Sequence, residues 1–158
     1  MCDSNSELPY EIQEAYHIPY IPMPYILGGQ EIGYDLGKNA DLVDFYAQVR
    51  AGAMPKTMTL PPQFYEDFWR PILQSGQDIL FLTFSSGLSG AYDLVTMARE
   101  HILEEFPDRR IELVDTLSIS MGAGLLVYYA IQQKEQGASL DDIAGWVRSC
   151  LLYTSRCV

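Results

Sequence analysis

Basic residues are scarce in this chain. Ten lysines and arginines stand against 21 aspartates and glutamates in 158 residues, a formal charge of −11. A surface of that sign repels the phosphates of nucleic acid and excludes it as a partner. Cysteine is scarce too. Cys2, Cys150 and Cys157 are odd in number and lack metal-ligand spacing. Neither a disulfide framework nor a metal site is expected, and no cofactor is implied. Long apolar runs are absent: none reaches the ~18 residues of a membrane span. The opening Met-Cys-Asp-Ser-Asn-Ser-Glu-Leu-Pro lacks the basic and apolar regions of a signal peptide. The expected location is the cytoplasm, with reduced thiols and at most transient membrane contact. The length suits one domain with a real core.

The most informative segment runs from Ile79 to Tyr92, Ile-Leu-Phe-Leu-Thr-Phe-Ser-Ser-Gly-Leu-Ser-Gly-Ala-Tyr. Ile79 to Phe84 fits a strand covered on both faces. Ser85, Ser86, Gly87, Ser89 and Gly90 then supply hydroxyls and backbone N–H groups where a helix begins. That arrangement favours an anion. With no lysine or arginine in the loop, a singly charged guest such as a carboxylate is expected over a polyphosphate. The same loop would serve equally well as a simple cap for the next helix.

Elsewhere the pattern alternates strand and helix. A short helix should follow Ser4-Asn5-Ser6 and stop near His17. Tyr20 to Leu27 reads as an irregular or edge strand because of Pro22 and Pro24. Gly28-Gly29 turns it into a hairpin with Gln30 to Tyr34. Asn39 or Asp41 can cap a helix carrying Leu42, Phe45, Tyr46 and Val49 on one side. Met54 to Leu60 reads as a loop. Pro61-Pro62 opens a helix that Pro71 should kink or end early. A helix from Ala91 ends at Pro107, and Ile111 to Val114 is a short strand. Met121 to Ile131 is apolar nearly all round and predicts a helix buried in the middle of the domain. Ser139 caps a last helix. The expected fold is α/β, a mainly parallel sheet with helices on both faces. Asp3-Ser4-Asn5, Ser85 to Gly90 and Asp115 to Ser120 should converge at one sheet edge.

Enzymatic patterns fit poorly. Gly87-Leu88-Ser89-Gly90-Ala91 nearly matches a nucleophile elbow, but Ala91 replaces the last glycine and two serines separate the motif from its strand. His101 is twelve positions along the same helix, about 18 Å away at ~1.5 Å per residue. Only His17 remains as a base, without an orienting partner. A serine-dependent esterase of small acyl substrates is thus the alternative reading. The acidic pairs Glu104-Glu105 and Asp141-Asp142 suit solvated helix faces.

Four segments in this order resemble the DegV family of bacterial lipid-binding proteins: Asp3-Ser4-Asn5-Ser6-Glu7-Leu8-Pro9, Pro55-Lys56-Thr57, Ser85 through Tyr92, and Val114-Asp115-Thr116 with Ser120 and Gly122. The resemblance implies a protein that holds a long-chain fatty acid and presents it to the separate catalytic subunit of a fatty acid kinase, without catalytic residues of its own. It places Thr57, Ser86, Gly87 and Ser89 at the ligand's carboxylate. Ile21, Met23, Tyr25, Met121 and Leu125 are candidate walls for the acyl chain, although each such residue is more often ordinary core than pocket lining. Met58 and Ala91 depart from the family pattern near the polar end. The resemblance further implies that residues 1–150 form an N-terminal lipid-binding domain with a curtailed first strand. The tail Leu151 to Val158 leaves the pattern and reads as of doubtful origin, and a second domain is missing.

Overall fold

The computed structural model describes residues 1–154, with the side chains of 152–154 left aside. The tail reading therefore falls largely outside the described residues. Four parallel strands form the main sheet: β1 (Cys2–Asp3), β2 (Tyr20–Ile21), β6 (Ile79–Thr83) and β7 (Ile111–Asp115), in the order β2-β1-β6-β7. A second, antiparallel sheet has the order β4-β3-β5, from β3 (Pro24–Leu27), β4 (Gln30–Gly33) and β5 (Lys56–Thr57). The expected single strand over Tyr20 to Leu27 is thus two strands, split at Pro22 and assigned to different sheets. Gly28 and Gly29 turn the hairpin with φ of 59° and 82°, a conformation open to glycine at little cost.

Helices cover both faces, and strand alternation decides which. Ile79 and Phe81 of β6, with Ile111 and Leu113 of β7, point to one side. There they meet α3 (Pro62–Gln74) and α4 (Ala91–Glu105) through Tyr65, Trp69, Leu73, Val95, Ala98 and Ile102. Leu82 and Val114 point to the other side, onto α5 (Met121–Glu135) and α6 (Leu140–Thr154) through Leu126, Val127, Ile131, Ile143 and Val147. Leu8, just before α1 (Tyr10–Ala15), joins that second core. Burying each such side chain contributes roughly 1.5–3 kcal/mol, so both faces hold the sheet.

Several expectations need correction. Pro71 does not end α3, which continues to Gln74. The proline forfeits one hydrogen bond, but Leu73 in that last turn is buried in the core and holds it. Lys56-Thr57 is a strand because Ile26 and Tyr25 pair with it, a contact the local pattern does not carry. The helix capped by Asp41, α2 (Leu42–Arg50), forms as expected, yet none of its residues is buried. Its link to the hairpin is an edge-to-face contact of Phe45 with Tyr25, centroids 5.8 Å apart. Finally, α5 is not enclosed. Ala123, Leu126, Val127, Ala130 and Ile131 are buried, but Met121, Leu125 and Tyr129 form an exposed apolar stripe.

Ser139 caps α6 reciprocally with Asp142: the Asp142 N–H donates to Ser139 Oγ at 3.2 Å, and the Ser139 hydroxyl donates to Asp142 Oδ2 at 2.6 Å. No helix among the described residues is long and apolar enough to cross a membrane.

Candidate functional site

The three polar segments do converge where the strands end. Asp3 leaves the centre of the sheet and is 6 % exposed. Its carboxylate accepts from the Phe84 N–H at 3.2 Å and the Asn5 N–H at 2.9 Å, joining the end of β6 to the 3-10 turn Ser4–Ser6. Burial pushes its carboxyl up to about 6. Ser85 N–H donates to the Ser118 carbonyl, and Ser120 N–H to the Asn5 carbonyl at 2.7 Å. Ser120 also donates its hydroxyl to Glu7. Thr116 ties the loop bases together, donating its hydroxyl to the Thr83 carbonyl at 2.7 Å. These bonds hold two non-glycine residues in left-handed conformations, Leu117 at φ 47° and Ser120 at φ 57°, a strain that persists only where surroundings over-determine it.

Close packing beneath the loops depends on Gly124. A Cβ there would lie 2.5 Å from the Ser6 carbonyl oxygen. The glycine lets α5 approach the backbone of the 3-10 turn directly.

The loop of residues 85–90 is less open to an anion than its sequence suggests. The Ser86 N–H donates to Asp115 Oδ1 at 3.2 Å. The Gly87 N–H donates to Ser85 Oγ at 3.2 Å, the Leu88 N–H to the Ser85 carbonyl, and the Ala91 N–H to Ser89 Oγ at 3.1 Å. Turn bonds therefore take up much of the loop, with Ser89 Oγ as one acceptor, while the N-cap of α4 is Gly90 and carries no side-chain cap. The exposed Ser86 is different: its hydroxyl has no partner among the described residues. Leu88, Leu117, Ile119, Met121 and Leu125, all exposed, belong to this same edge.

Thr57 is exposed on β5 beside Tyr25, and no hydrogen bond joins it to the serine loop among the described residues. Just before its sheet begins, the Met23 N–H donates to Ser4 Oγ at 2.9 Å and links it to the loop edge. Ser86, Gly87 and Ser89 thus share one loop, and Thr57 belongs to the second sheet. Of the candidate wall residues, Ile21 is fully buried core and Met23 packs against it. Tyr25 lines a small pocket of about 140 Å³. Met121 and Leu125 are open to solvent.

A larger cavity of about 810 Å³ lies towards the opposite end of β6, lined by residues such as His17, Ile79, Leu80, Val127, Ile131 and Ile143. Thr57 and the serine loop do not contribute to it. His17 lines this cavity, and His101 lies 3.3 Å from Glu66 on α3. Neither histidine contacts Ser86 or Ser89, so the esterase reading gains no support from the geometry. Among the described residues, no group of three or more His, Cys, Asp or Glu side chains could hold a metal ion.

A family model described as an uncharacterised protein of the DegV family matches residues 1–155. The chain belongs to the DegV family. A DegV domain-containing protein of Clostridium perfringens is 36% identical over 145 residues, covering 92% of this chain and 50% of the relative. The structure of a fatty-acid-binding DegV family protein from Thermus thermophilus superposes with a TM-score of 0.79 at 26% identity, over 95% of this chain and 51% of that one. A Thermotoga maritima protein described as revealing fatty acid binding function gives 0.77 at 26% identity, over 94% and 52%. This DegV chain thus spans about half the length of the relatives it matches.

Proposed function

We propose that this DegV chain binds a long-chain fatty acid and presents the carboxylate to a separate kinase subunit for phosphorylation, acting as carrier and not as catalyst. The observation that carries this reading is the Ser86 hydroxyl, without a partner among the described residues, at a loop edge rich in exposed apolar side chains. A fatty acid needs that combination: a few donors at one end and apolar surface behind them. Ser86 is the first donor to the carboxylate. Ser89 and Thr57 supply further hydroxyls, and Gly87 leaves room for the head group. Residues 1–150 form the head-group end of the binding unit, and the stripe of Met121 and Leu125 is one wall of an acyl passage open on its far side. Burial of each methylene is worth roughly 0.8 kcal/mol, so the acyl chain dominates affinity.

The test is native mass spectrometry with solvent extraction of the purified protein, followed by titration with palmitate or oleate. A co-purifying fatty acid, or saturable binding of the added one, is expected. A well-folded sample that neither carries nor takes up a fatty acid refutes the reading.

A further inference from the structure

The loop edge of the parallel sheet is unbalanced in charge. The segments that meet there, residues 1–9, 84–96 and 115–126, contain Asp3, Glu7, Asp93 and Asp115 but no lysine or arginine. None of these four carboxylates belongs to an ion pair among the described residues. They differ in what they hold. Asp3 binds the Phe84 and Asn5 N–H groups at the sheet's centre, Glu7 accepts from Ser120, and Asp93 stands exposed in the first turn of α4. Asp115 alone reaches into the serine loop. Its Oδ1 accepts from the Ser86 N–H at 3.2 Å and from the Leu117 N–H at 3.0 Å, so one atom ties the loop after β6 to the loop after β7.

We propose that Asp115 both positions the Ser85–Gly90 loop and selects the charge of its ligand. Backbone N–H groups at a strand-to-helix turn are what commonly hold a phosphate. Here Asp115 takes two N–H groups of this edge with a carboxylate of its own, so the ligand meets hydroxyls. The charge left beside Ser86 repels an incoming anion in proportion to that anion's charge. A singly charged carboxylate is tolerated and a doubly charged phosphate is rejected. This inference rests on the fatty-acid reading above. It adds that a cargo gaining charge on phosphorylation is favoured to leave.

The experiment compares the binding of oleate and of oleyl phosphate to the whole chain, above the second phosphate pKa of about 6. The parent protein is expected to hold oleate about tenfold tighter than oleyl phosphate, or more, the equivalent of ~1.4 kcal/mol. Asp115→Asn keeps an acceptor oxygen and removes the charge. It should tighten both ligands, the phosphate more, and narrow the preference by roughly threefold or more. Asp115→Ala frees both loops and should weaken oleate binding, a loss that the asparagine variant does not show. Asp93→Asn removes an equal charge without touching the loop's N–H groups and should narrow the preference less. If the asparagine variant does not fold, the parent's preference should still shrink between low and high salt as repulsion is screened.

Equal affinity of the parent for the two lipids overturns the inference while leaving fatty-acid binding intact. So does a preference that neither Asp115→Asn nor salt reduces, or one that Asp93→Asn reduces as much. A parent that binds neither lipid refutes the fatty-acid reading, and this inference with it.

Discussion

Replacing Gly124 by alanine separates two opposing effects that the structure makes unequal. In an exposed helix interior, alanine is favoured over glycine by about 0.8–1 kcal/mol. At position 124 the added Cβ would meet the Ser6 carbonyl oxygen at 2.5 Å and the Leu8 nitrogen at 3.6 Å. Both are backbone atoms, so no side chain can swing away. Either α5 or the 3-10 turn must shift, and overpacking of this kind costs typically about 1–3 kcal/mol. We expect the overpacking cost at Gly124→Ala to cancel the propensity gain or exceed it, for a net loss of up to about 2 kcal/mol. Gly145 on α6 is the internal control. Nothing lies within 4 Å of a Cβ built there, and its φ is not left-handed, so Gly145→Ala should stabilise by roughly 0.4–1 kcal/mol. Urea and thermal melts of the three proteins decide the matter, at roughly 2–4 °C per kcal/mol for a chain of this size. The displacement should also reach the loops, because Asn5, in that 3-10 turn, accepts the Ser120 N–H. Fatty acid binding is therefore expected to weaken in Gly124→Ala and not in Gly145→Ala. A Gly124→Ala protein that gains stability as Gly145→Ala does would show that the close approach of α5 to the turn is not a tight constraint.

Three further outcomes can be measured. Asp3 has its carboxyl raised from 3.8 to about 6 by burial, so the folded state holds the proton more tightly than the unfolded state. Its contribution to stability is greatest below about pH 4 and is lost as pH rises to about 6; at about 1.4 kcal/mol per pH unit the loss is roughly 3 kcal/mol. Subtracting urea-melt stabilities of Asp3→Asn from those of the parent at each pH should reveal that fall, and a difference flat between pH 4 and 7 contradicts it. Ser86→Ala should weaken oleate binding by about 1–3 kcal/mol with little change in melting, since its hydroxyl has no partner among the described residues; calorimetric titration showing parental affinity moves the head group elsewhere. Ser139→Ala removes the hydroxyl that makes both of these cap hydrogen bonds and should cost about 1 kcal/mol, seen as a lower melting temperature, with ligand affinity retained.

The sequence makes legible those features in which local chemistry decides. Ile79 to Thr83 had to be a covered strand because its apolar residues alternate onto two cores. The Gly28-Gly29 hairpin, the proline-led α3 and the capped α6 likewise follow from a few neighbouring residues. The misses share a different cause. Lys56-Thr57 is a strand only because Tyr25 and Ile26 lie beside it. Met121, Leu125 and Tyr129 are as apolar as the buried side of their helix, so periodicity could not tell which face is covered. At the candidate site, residue types and convergence were readable, but the fate of the donors was not. The Ser86 N–H looks free along the chain and is taken by a carboxylate 29 positions away.

The placement of β1 between β2 and β6 bears on the order in which this protein assembles. The contact of Asp3 with Phe84 spans 81 positions. The strand earliest in this sequence therefore occupies the middle of the sheet, and it must wait for β6 before it can settle there. β6 and β7, with α3 and α4 packed on them, join residues much nearer in sequence and suit an early nucleus. Until the opening residues arrive, one edge of β6 stands without its neighbour, and strand edges of that kind attract other chains. The interval between emergence of β6 and capture of Cys2–Asp3 is thus when a newly made chain is most exposed to misassembly. Delay in that capture should lower the yield of folded protein more than its final stability.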